Sequence, residues 1–88
     1  MSKQLVFQQQ SWEDYLYWLN TDKKILFKIN ELIRDIQRND NVGLGKPEAL
    51  KNELSGYWSR RFTGIHRLVY RIDEDNIYIA KCRGHYDD

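Results

Sequence analysis

Residues 54–72 read LSGYWSRRFTGIHRLVYRI, and the period of this stretch decides the fold. Leu54, Trp58 and Phe62 alternate with Tyr57, Ser59 and Arg61; further on, His66, Leu68, Tyr70 and Ile72 alternate with Ile65, Arg67, Val69 and Arg71. A period of two marks strands with one buried face. Thr63-Gly64 and the polar run 73–76 (DEDN) join the strands as hairpins, so they run antiparallel. Leu54, Trp58, Phe62, Leu68, Tyr70 and Ile72 are assigned to the core side. In the closing strand, IYIAKCR at 77–83, Ile77 and Ile79 share parity with Lys81 and Arg83, so the pattern is ambiguous. The reading adopted turns Tyr78, Ala80 and Cys82 inward. The outer face then gathers Tyr57, Arg61, Arg67, Arg71, Lys81 and Arg83, which is five cations and no acid.

Upstream the period is helical. LVF at 5–7 predicts a first strand. Ser11-Trp12-Glu13-Asp14 has the form of a capping box, with Ser11 as N-cap, and Trp12, Tyr15, Leu16 and Leu19 follow on one face. Trp18 lies off that stripe, available to a partner or a second copy of the chain as well as to partial burial. A second helix starts near Thr21 or Asp22 and carries Ile25, Leu26, Ile29, Leu32, Ile33 and Ile36 as a stripe before fading near Arg38. The fold class expected is α+β: a two-helix hairpin packed on one face of a twisted, mainly antiparallel sheet of about four strands, all in one domain over 1–88. NDNVGLGKPEALKN, residues 39–52, is the one long loop.

Composition sets bounds. The chain is 41% hydrophobic and 31% charged, as in ordinary globular proteins, and has no apolar run of membrane-spanning length. Cys82 is the single cysteine, which excludes an internal disulfide and suits a reducing cytoplasm. With two histidines it forms no zinc spacing, and no cofactor is expected. Cys82 is read as a small core residue and His66 as a hydrogen-bonded structural histidine. Net charge is only +1, but residues 46–86 carry eight Lys and Arg against five Asp and Glu.

A wet sheet face normally carries charges. The sharper alternative is a phosphate-binding face, with Tyr57 or Tyr86 stacking on a base. Such a face cleaves RNA if it also holds a base for the 2′-hydroxyl and an acid for the leaving 5′-oxygen. Glu48, in the loop before the first hairpin, can serve as base, and His85 as acid or base near neutral pH. Each alone is weak: a loop Glu and a C-terminal His are more often plain solvated surface.

Taken together, SWEDYLYW (11–18), KINELI (28–33), GKPEALK (45–51), LSGYWSRR (54–61), HRLVY (66–70) and KCRGHY (81–86) resemble the YoeB-type toxins of the RelE superfamily. The resemblance spans about Ser11 to Tyr86. It implies a microbial-ribonuclease fold and a ribosome-dependent mRNA endoribonuclease that cuts in the A site without metal, leaving a 2′,3′-cyclic phosphate. It also implies a type II toxin–antitoxin module with a YefM-type antitoxin; a homodimer is left open. By resemblance, Glu48 is the general base, Arg67 stabilises the transition state and His85 is the general acid, while Arg61, Tyr86 and Lys51 position the RNA. Asp87-Asp88 extend beyond the tyrosine where family members commonly stop, and would favour the cationic form of His85. Gly84 stands where relatives often carry a larger residue, which would loosen the tail. Two rival readings are a gyrase-poisoning toxin of the ParE type, which would lack the Glu, Arg and His set, and a catalytically silent RNA- or antitoxin-binding module.

Overall fold

The alternating stretch forms two strands of one sheet in the computed structural model, which describes residues 3–84. The elements are β1 (Gln4–Phe7), α1 (Gln9–Thr21), α2 (Lys23–Asn39), β2 (Glu48–Ala49), β3 (Trp58–Arg61), β4 (Arg67–Ile72) and β5 (Asn76–Lys81), with a 3-10 turn at Asn52–Leu54. The sheet has five strands in the order β1-β5-β4-β3-β2. All neighbours are antiparallel except β1, which runs parallel to β5. The fifth strand, beyond the expected four, is β2, two residues inside what the sequence presents as loop. So short a strand has no periodicity to recognise.

Two helices cover one face, as expected. Ile29, Leu32, Ile33 and Ile36 of α2 are buried against Leu68, Tyr70, Ile77 and Ile79 of the sheet, with Trp58 and Ile72 packed at the margin. Asp22 caps α2, its side chain accepting hydrogen bonds from the backbone N–H of Lys24 and Ile25.

The first helix departs from expectation. Its N-cap is Gln8, and Ser11 lies one turn inside, fully buried, donating its hydroxyl to the carbonyls of Gln8 and Ile79. Asp14 is buried too and accepts from the backbone N–H of Cys82. The buried face of α1 is therefore Ser11, Asp14 and Trp18, a polar stripe matched to the backbone of the last strand. Trp18 is 5% exposed and donates from Nε1 to the Cys82 carbonyl, whereas Trp12 is 45% and Leu19 40% exposed and Leu16 is half-buried. An apolar stripe misleads here because hydrogen bonds, rather than apolar area, seat the helix.

The ambiguity in β5 resolves through a bulge. Val69 pairs with Lys81, yet Tyr70 pairs with Ile79, so Ala80 is the extra residue. Before it, Ile77 and Ile79 face the helices; after it, Cys82 does. Tyr78, paired with Arg71, faces outward, and Ala80 is only half-buried, which overturns the inward placement of both. Cys82 and His66 stand as expected. Cys82 is fully buried, and burial with the Asp14 carboxylate nearby pushes its thiol up to about 12. His66 accepts at Nδ1 from the Gly84 N–H and stacks on Phe62.

Among the described residues, no helix is long and apolar enough to cross a membrane.

Candidate active site

Glu48 and Arg67 come together on the outer face of the sheet. Glu48 pairs with Ser59 across β2 and β3, Ser59 with Val69 and Arg61 with Arg67 across β3 and β4. Directly paired residues share a face, so Glu48, Ser59, Arg61, Arg67 and Val69 project to the side opposite the helices. The Arg67 guanidinium lies 3.5 Å from the Glu48 carboxylate. The arginine side chain is 15% exposed and the glutamate 61%, so the cation is held while the carboxylate stays open to solvent. The outer face thus carries an acid beside its cations, contrary to the all-cation surface expected.

What delivers Glu48 is a residue that sequence reasoning passed over. Arg60 shares parity with Trp58 and Phe62 and is completely buried. Its Nε donates to the Tyr70 hydroxyl at 3.1 Å. One terminal nitrogen donates to Asp35 and to the Leu44 carbonyl, and the other to the carbonyls of Asp40 and Val42. Every N–H of the guanidinium is matched by one of these five acceptors. Asp35 also accepts from the Leu44 N–H, so α2, β3 and the 40–44 segment are tied at one point. Hydrogen bonding from Arg60 holds the Asp35 carboxyl below its usual range, and burial pushes the Tyr70 phenol up. Gly45, at φ +78°, then accepts from the Arg61 N–H at 2.7 Å and turns the chain into β2. A cation at a core-parity position, flanked by apolar residues, is the signal that marks such an anchor.

The other candidates fall as follows. Arg61 is exposed at the end of β3, directly opposite Arg67. Lys51 is exposed, just after β2. His85 and Tyr86 lie outside the described residues. Gly84, the residue before His85, is tied down: its carbonyl accepts from the Arg67 N–H at 3.1 Å and its N–H donates to His66. Gly84 sits at φ +99°, a region that favours glycine; the tail it was expected to loosen lies outside the described residues. Arg83 does not join the outer cations; its guanidinium stacks 3.5 Å above the Tyr17 ring of α1. Leu54 leaves the helix-side core and lines a pocket of about 500 Å³ on the outer face, with Tyr57 and Val69. Leu50 and Val69 are buried but stand apart from the helix-side core, so the 50–57 segment covers part of the face expected to be bare.

The fold is shared with small bacterial toxins of solved structure. The YoeB/ParE toxin of Agrobacterium tumefaciens superposes with a TM-score of 0.92 at 47% identity, over 94% of this chain and 99% of that one. YoeB of a YoeB–YefM complex from Staphylococcus aureus gives 0.88 at 47% identity, over 98% of this chain and 100% of that chain. Toxin YoeB of Escherichia coli K12 is 57% identical over 82 residues, 93% of this chain and 98% of the relative. The chain belongs to the YoeB-like toxins of bacterial type II toxin–antitoxin systems, whose family model matches residues 7–86.

Proposed function

We propose that this toxin is a ribosome-dependent mRNA endoribonuclease that cuts the A-site codon and so stops translation. The observation that carries the reading is the Glu48–Arg67 pair, a carboxylate and a guanidinium 3.5 Å apart on the open face, from strands that flank β3. A phosphodiester bound at Arg67 would bring a neighbouring 2′-hydroxyl to Glu48. Glu48 takes the proton of that hydroxyl, and the 2′-oxygen attacks phosphorus. Arg67 stabilises the charge on the five-coordinate transition state. The bond to the 5′-oxygen breaks, and His85 supplies the proton to it. The products are a 2′,3′-cyclic phosphate and a 5′-hydroxyl. The substrate carries its own nucleophile, so no step requires a metal-activated water. Supporting His85 in this role, the main chain reaches it from Gly84, which is hydrogen-bonded to Arg67. Arg61, Lys51 and Tyr86 hold the RNA.

The partner we propose is a YefM-type antitoxin, supported by the Staphylococcus aureus YoeB–YefM complex, and the YoeB dimer from that organism supports self-association. Primer extension on an mRNA in ribosomes with an empty A site tests the activity. A new 3′ end inside that codon is expected. Glu48→Gln and His85→Gln should each slow cutting about 10²- to 10⁴-fold. Intact mRNA with folded, antitoxin-free toxin rejects the reading.

A further inference from the structure

The outer face holds more than the Glu48–Arg67 pair. The pocket of about 500 Å³ beside it is lined by Gln10, Glu53, Leu54, Tyr57, Val69 and Lys81. Its floor is apolar: Val69 is 1% exposed and stands between Ser59 on β3 and Lys81 on β5. Tyr57 forms one side. The ring of Tyr57 also flanks Arg71, whose guanidinium lies 6.0 Å from its centroid and 3.9 Å from that of Tyr78. Ser59 adds an unusual group. It is 1% exposed, shares this face with Glu48 and Val69, and its hydroxyl has no hydrogen-bond partner among the described residues. Solvated sheet faces carry cation–aromatic pairs, but they do not normally bury an unsatisfied hydroxyl beside a pocket.

We infer that this pocket is a nucleotide subsite, taking a base of single-stranded RNA next to the bond being cut. The base stacks on Tyr57 over Val69 and Leu54, and its phosphate is met by Lys81 and Arg71. Val69 lies two residues from Arg67 on one strand, about 7 Å away, so the subsite continues the path of a strand whose phosphate occupies Arg67. The volume falls in the range of small-ligand sites. Aromatic planes and cations in alternation suit single-stranded RNA better than an acidic peptide, which needs no stacking surface. The bulge at Ala80 is what makes the subsite, because it returns Lys81 to the face that Tyr78 occupies three residues earlier. The inference rests on the ribonuclease reading for the identity of its ligand.

The test is an NMR titration of the ¹⁵N-labelled toxin with 2′-O-methyl triadenylate, which cannot be cleaved. Shifts are expected at Tyr57, Val69, Arg71 and Lys81 as well as at Arg67. Affinity should fall about fivefold or more in Tyr57→Ala and in Arg71→Ala, while Tyr57→Phe, which keeps the ring, stays within about twofold of the parent. Arg71 lies outside the pocket lining, so Arg71→Ala serves if Tyr57→Ala proves unfolded. Shifts confined to Glu48, Arg61 and Arg67, unchanged affinity in folded variants, or shifts at these amides with polyglutamate but not with the trinucleotide would each overturn the subsite. The primer-extension assay separates the two ideas. A toxin that cuts mRNA without Tyr57 and Lys81 shifts loses only the subsite. One that shows the shifts but never cuts keeps the subsite and loses the ribonuclease reading.

Discussion

Replacing Arg60 with alanine strips the partner from five acceptors at once: the Asp35 carboxylate, the Tyr70 hydroxyl and the carbonyls of Asp40, Val42 and Leu44. Arg60 is 0% exposed, so water does not replace it without opening the structure. Removing one member of a buried ion pair costs about 3–5 kcal/mol, and each orphaned buried acceptor adds about 1–3 kcal/mol where it cannot relax. The 40–44 segment lies near the surface and can swing out, so the lower figure, about 3–5 kcal/mol in total, is expected. That is a large share of the ~5–15 kcal/mol that holds a domain together, and corresponds to a fall of at least ~12 °C in Tm. Urea denaturation followed by tryptophan fluorescence measures it. Arg60→Lys, with three donors in place of five, should recover only part. Since the loosened segment leads into Glu48, mRNA cleavage should fall further than the unfolded fraction explains. A loss below about 1 kcal/mol with an unchanged m-value would refute the anchoring argument.

The remaining predictions concern neighbouring groups. Asp35 has a lowered folded pKa, chiefly through the hydrogen bond from Arg60, so its contribution is present above the unfolded carboxylate value of about 3.9 and is lost as pH falls through the lower folded value. Asp35→Asn should therefore destabilise the toxin at neutral pH and flatten the acid limb of its stability profile below about pH 4, measured by denaturation across pH. Gly45→Ala forces a side chain into φ +78° and puts its Cβ 2.7 Å from the Arg61 carbonyl, so a loss of about 1–3 kcal/mol is expected in the same urea assay. Cys82, fully buried with its thiol raised to about 12, should stay unlabelled by a thiol reagent at pH 8 until denaturant is added.

Much of the fold is legible in the chain because periodicity records burial. The α2 stripe and the alternation in β3 and β4 are written in residues whose only strong preference is to leave water, and they fall where expected. The sheet-facing surface of α1 is not legible. Its seat is a set of hydrogen bonds between Ser11, Asp14 and Trp18 and the backbone of residues 79 and 82, some seventy residues away, and polar residues carry no burial signal. Trp12 and Leu19 were expected inside for the same reason and lie partly exposed.

The site divides along similar lines. Sequence by itself determined which residue types are present: a glutamate, arginines and a histidine in a family pattern, with chemistry set by the side chains alone. Tertiary structure decided where they meet. Arg60 is a surface residue by type and a core anchor by position, since five acceptors from three segments converge on it only once the chain has folded. The Glu48–Arg67 contact depends on a two-residue strand held by that anchor, and the outward placement of Lys81 on a one-residue bulge. Burial leaves a trace in the order of residues because it acts on each one separately. Register and loop anchoring join residues far apart, and take their values from the assembled sheet.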